Sequence, residues 1–222
     1  MLLYYLSNCL YYFTIYYTMD YFISMKFTGT YYIIHSLNNM LLVYLTYNDI
    51  INTIIDFPNF ITYPINYEAM IMTYSLHFYH MVKYFKKLRF DDWLHHILMV
   101  GIALPISGFV KAGSLMGYSL FFLTGLPGGI DYFLLFLVRN NYMESINEKK
   151  INTYLNLWIR GPGCISHAVL TLISYFIIKD IITKIETIFL FIIGCLVFWN
   201  GIYFMNQVII NNYIVTNSIK NK

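Results

Sequence analysis

Residues 187–212 (TIFLFIIGCLVFWNGIYFMNQVIINN) contain no aspartate, glutamate, lysine, arginine or histidine. A bilayer hydrocarbon core is about 30 Å thick, and about 20 mainly apolar helical residues cross it. The stretch therefore reads as a transmembrane helix. The same reading extends back along the chain to 30–48, 66–85, 93–110, 114–138 and 152–178. Together these give six core spans of an all-α, polytopic membrane helix bundle. A further apolar and aromatic stretch, 2–19, lacks the basic start and small-residue cleavage site of a signal peptide. It reads as a retained extra span or an interfacial helix. The expected organisation is an N-terminal hydrophobic segment (1–29), one transmembrane domain (30–212) and a polar tail (213–222).

Composition agrees. Of 222 residues, 59% are hydrophobic and 11% charged, against about 25% charged in an ordinary soluble domain. So few charges cannot cover a water-facing surface. A typical soluble enzyme, a disordered regulator and a nucleic-acid binder with a basic stripe are excluded. The 23 tyrosines suit the membrane–water boundary, where the ring is apolar and the hydroxyl stays wet. Cys9, Cys164 and Cys195 are too widely spaced for a disulfide framework or a zinc pattern, and read as small apolar residues. No internal repeat is present.

Basic residues set the orientation. Lys26, Lys83, Lys86, Lys87, Arg89, Arg139, Lys149, Lys150, Lys220 and Lys222 fall on one side of this layout. Only Lys111, Lys179 and Lys184 fall on the other. Cytoplasmic loops carry the excess of lysine and arginine, so loops 83–92 and 139–151 are expected in the cytoplasm.

Ionisable residues inside spans are costly and usually face the bundle interior with a partner. His77 and His80 stand at i, i+3 on one helical face. His95 and His96 open the third core span, after Asp91 and Asp92. Asp131 lies in the fourth span; Arg160, Cys164 and His167 share a face of the fifth. His35, alone in the first span, reads as a hydrogen-bonded or interfacial histidine. Asp131 and Arg160 read either as an ion pair between neighbouring helices or as partners of a shared polar ligand. Neutral imidazole takes and returns a proton near pH 7, which makes His95 and His96 candidate general bases. Gly125-Leu126-Pro127-Gly128-Gly129 interrupts the fourth span. Proline removes a donor and clashes with the preceding turn, giving a packing kink or a binding site at half-helix ends. No Gly-rich phosphate loop, nucleophile elbow or full set of metal-binding histidine boxes appears. No metal and no bound cofactor is expected.

The run Tyr74-Ser75-Leu76-His77-Phe78-Tyr79-His80, the basic loop, and Phe90-Asp91-Asp92-Trp93-Leu94-His95-His96-Ile97 together resemble the TLC-domain family of membrane proteins. Gly113-Ser114-Leu115 and Trp158-Ile159-Arg160-Gly161-Pro162 are similar to it as well. The resemblance covers about 30–212. It implies a helix bundle of the endoplasmic reticulum concerned with lipids. In the ceramide synthase branch, a His-His pair with downstream acids serves acyl transfer from acyl-CoA to a sphingoid amine. His95 and His96 match the pair. Phe121, Thr124 and Gly128 stand where that branch has acids, and His80 stands where an aspartate often ends the preceding span.

The expected function is to act on or bind membrane lipids. Acyl transfer would use His95 and His96, with acyl-CoA as co-substrate. His77, His80, Asp131, Arg160 and His167 are the expected substrate-binding residues. The alternatives are a non-enzymatic lipid binder or regulator of membrane composition, and a structural subunit of a membrane assembly. Membrane lipids, a second copy or other membrane proteins are the expected partners.

Overall fold

The computed structural model describes residues 2–220, and these are mostly helical, with no strand among them. Met1, Asn221 and Lys222, the outer ends of the expected N-terminal segment and polar tail, lie outside the described residues. Helix α1 covers Leu2–Ser24, α2 Thr30–Ile55 and α3 Tyr67–Tyr84. Helix α4 runs over 90–107. Then follow α5 (Ser114–Arg139), α6 (Ser145–Ile178) and α7 (Lys184–Lys220). Each expected span overlaps one helix, though 66–85 and 93–110 run past the ends of α3 and α4. The tail from 213 stays helical as far as Lys220.

Helices α5, α6 and α7 are long and apolar enough to cross a membrane, which is compatible with an integral membrane protein. The other helices carry more polar residues, and α2 shows where these go. His35, Ser36, Asn38, Asn39, Thr46, Asp49 and Thr53 are buried, while Leu37, Leu41, Tyr44 and Ile54 are exposed. A water-soluble bundle has the opposite pattern. In a lipid surround, buried polar groups pair with each other and apolar side chains face out.

Three wide-turned (π) segments interrupt the helices at His96–Ala103, Phe121–Gly125 and Asn156–Arg160. Each ends two residues before a proline: Pro105, Pro127 and Pro162. Proline clashes with the carbonyl four residues back and offers that carbonyl no N–H. A wider turn relaxes the clash without breaking the helix. The Gly-Leu-Pro-Gly-Gly interruption is therefore a bulge in a continuous helix. Helix α2 packs directly on it. The Ser36 hydroxyl donates to the Gly129 carbonyl at 2.8 Å, and Asn39 lies against Gly128.

The connections tie the loops at each end together. Gly29, at φ +67°, turns α1 into α2 with the Arg139 side chain against it. The Thr28 amide donates to Asn140 Oδ1 at 3.1 Å, and Asn140 Nδ2 donates back to the Thr28 carbonyl at 3.0 Å. At the opposite end, Lys111 Nζ donates to the Ile181 carbonyl at 3.2 Å. The Lys26 and Arg139 loops thus share one end, and the Lys111 and Lys179 loops share the other.

Candidate functional site

A cavity of about 840 Å³ opens among α2 to α7; all six contribute to its wall, and no described residue of α1 does. Its volume lies in the usual range for small-molecule sites. Lys87, Arg89, Arg139 and Lys149 ring the end that carries the tied basic loops. Ala103, Leu104, Met116, Leu120 and Leu123 line the far part. Between these regions stand His35, His77, His80, His95 and His96. Of the histidines expected at the site, only His167 is elsewhere. It is buried in α6, stacked on Tyr118 with ring centroids 6.4 Å apart.

The five imidazoles form one cluster from three helices. Ring centroids of His77 lie 5.5 Å from His95 and 5.4 Å from His96. His80 is 5.1 Å from His96 and 5.4 Å from His35. The helices fix three of the rings by the same local device. Nδ1–H of His77 donates to the Thr73 carbonyl at 2.7 Å, and that of His35 to the Tyr31 carbonyl at 2.9 Å. Nδ1–H of His96 donates to the Asp92 carbonyl. A carbonyl only accepts, so in the neutral ring each of these residues keeps Nε2 as a bare lone pair. Tyr31 and Tyr132 close one side, with their hydroxyls 3.3 Å apart and their rings over His35.

The acids ahead of the histidine pair do not orient it. Asp91 accepts from the Tyr203 hydroxyl at 2.7 Å, and Asp92 accepts from the Arg89 amide at 2.9 Å, closing the start of α4. Among the described residues, no group of three His, Cys, Asp or Glu is placed to hold a metal ion.

Asp131 and Arg160 both line the cavity, but their charged groups form no ion pair within 4.0 Å; the expected direct contact is not made. Arg160 instead donates from Nη1 to Asn156 Oδ1 at 3.4 Å. Asn156 donates to Asn152 Oδ1 at 2.7 Å, and Asn152 donates to the buried Glu148 at 3.4 Å. The i, i+4 spacing of these four side chains stacks them on one face of α6, so a polar ladder runs from Glu148 to the cavity. Arg160 Nε and Asp131 Oδ1 are buried without hydrogen-bond partners. Cys164 is fully buried against Gly201 and takes no part. Thr124, one of the positions where the resemblance has acids, lines the cavity and donates to Asn39 Oδ1 at 3.2 Å.

Sequence reasoning missed Asn200, Tyr31, Tyr132 and the Glu148 ladder. Only the ladder had a legible signal, its four-residue repeat. Comparison of the chain with protein-family models, with curated proteins and with solved structures gives no match.

Proposed function

We propose that this is a multi-pass membrane protein of TLC-like type that takes an amphiphilic lipid into the cavity and acts on it. In this reading α2 to α7 are six core spans and α1 is an additional one. The membrane is that of the endoplasmic reticulum, with loops 83–92 and 139–151 in the cytoplasm. The observation that carries it is the sequence of surfaces along one cavity: a charged mouth in which Lys87, Arg89, Arg139 and Lys149 outnumber Asp91 and Asp92, five histidines, then a mainly apolar end. A head group suits the first surface and an acyl chain the last. The bond between them then lies beside the imidazoles.

The reaction this supports is acyl transfer from an activated donor of the acyl-CoA type to a lipid amine. The amine nitrogen attacks the thioester carbonyl, and a base of the His95–His96 pair takes its proton. Collapse of the tetrahedral intermediate breaks the C–S bond, and the proton is returned to the departing thiolate. General acid–base groups contribute about 10²–10⁴ in rate.

A second reading, lipid binding without chemistry, is favoured by one observation: among the described residues no carboxylate hydrogen-bonds a cluster histidine. Lipid profiling after expression of the wild type and of His95→Ala/His96→Ala tests both. Acylated products that appear with the wild type and vanish with the double variant, at equal membrane levels, support acyl transfer. Equal product with both overturns it. Co-purifying lipid without product supports the second reading.

A further inference from the structure

We infer that the two adjacent histidines have different tasks: His96 is the base, and His95 is a positioning residue held by Asn200 and His77. The inference rests on the acyl-transfer reading for the word base, but its hydrogen-bond logic stands independently. The starting point admits one arrangement. The Thr73 carbonyl accepts from His77 Nδ1 at 2.7 Å, so neutral His77 has a bare Nε2. His95 Nε2 lies 3.4 Å from that atom. Two lone pairs at this distance repel, so His95 carries its proton on Nε2 and donates it to His77. The Nδ1 of neutral His95 is then bare and needs a donor. Asn200 Nδ2, 3.3 Å away on α7, is that donor. The amide orientation of Asn200 follows from the chain of bonds, which runs Asn200 to His95 to His77 to the Thr73 carbonyl.

Both ring nitrogens of His95 are thereby occupied. His96 differs. Its Nδ1–H is spent on the Asp92 carbonyl, and its Nε2 is buried with no partner in a residue only 5% exposed. Of the adjacent pair, only His96 has a lone pair without a donor. A proton from an attacking amine goes to that Nε2. The resulting imidazolium keeps its Nδ1–H on the carbonyl and returns the new proton to the leaving group. Three helices fix this division of labour, since the bonds join α3, α4 and α7.

The test is ¹⁵N NMR of histidine-labelled protein in nanodiscs, at alkaline pH where the free ring is neutral. In the wild type, His95 should be the Nε2–H tautomer, and His77 and His96 the Nδ1–H tautomer. Asn200→Leu, similar in size and without a donor, should release His95 to a mixture of tautomers and leave His96 unchanged. A wild-type His95 protonated at Nδ1, or a wild-type His96 protonated at Nε2, overturns the inference without any variant having to fold. In the transfer assay, His96→Ala should lose about 10²–10⁴ in rate, and Asn200→Leu much less. Equal losses in the two would also overturn it. The expected tautomers in a protein that makes no acyl product would refute acyl transfer and leave the hydrogen-bond chain intact.

Discussion

Asp20 of α1 is fully buried and is paired with Lys83 of α3, the residue at which the basic loop begins. The Tyr79 hydroxyl donates to the same carboxylate at 2.7 Å. This pair fastens the helix that stands outside the cavity to one that lines it. Removing one partner of a buried pair costs about 3–5 kcal/mol, because the other charge is stranded. Lys83 is 31% exposed, so solvent screening places the cost below that range. Lys83→Met should therefore lower the thermal midpoint in detergent more than Asp20→Asn/Lys83→Met does. Equal midpoints in the two variants would show that the pair contributes nothing.

The Thr28–Asn140 bonds put the α1–α2 and α5–α6 loops at one end of the bundle. With the basic residues concentrated there, cysteines introduced at 88 and 142 should react together, from the cytoplasmic side. Labelling by an impermeant reagent in sealed and opened microsomes checks this. Labelling of either site from the lumen alone would reverse the orientation.

Asp131 and Arg160 share the cavity without touching. Neighbours in one network couple by about 0.5–3 kcal/mol, and separated sites add to within about 0.5 kcal/mol. A thermal double-mutant cycle over Asp131→Asn and Arg160→Gln should fall at or below the bottom of that range. Arg160→Gln with Asn156→Ala should couple more strongly, because those side chains bond directly. A coupling of several kcal/mol between Asp131 and Arg160 would mean a direct ion pair.

Gly128 lets α2 approach the bulge of α5. A Cβ there would meet Asn39 Nδ2 at 2.8 Å, and Asn39 is fully buried. Overpacking a well-filled site costs about 1–3 kcal/mol. Gly128→Val should therefore lower the thermal midpoint, and Gly128→Val/Asn39→Ala should recover part of the loss. A single variant as stable as the wild type would show that the two helices part freely.

The helix pattern was legible because apolar runs and basic loops are local features. Stretch 187–212 needed only its own residues to be read. The gathering of His77, His80, His95 and His96 was also within reach, since short loops hold their helices side by side. His35 pairs locally only with Tyr31, one turn back; its other ring partners, His80 of α3 and Tyr132 of α5, are distant in sequence and only packing brings them. Asn200 is one asparagine in an apolar run, and its importance depends on a ring 105 residues away. The direct Asp131–Arg160 contact failed for a reason in depth matching. Equal distance from the basic end allows two side chains to meet, but Arg160 bonds along its own helix instead.

The three wide turns have a consequence at the level of the gene. Each amounts to one residue spliced into an α-helix, and one residue is about 100° of helical rotation. His96 and Arg160 lie within such turns, so their directions depend on the spliced residue being present. A single-codon deletion ahead of Pro105 or Pro162 would leave the apolar stretch long enough to insert. It would turn one half of the helix against the other and carry His96 or Arg160 off the cavity wall. Chains descended from a common ancestor with this one can therefore keep the hydropathy pattern and lose the site in one step, and the spacing from Pro105 back to His96, or from Pro162 back to Asn152, records which of them have done so.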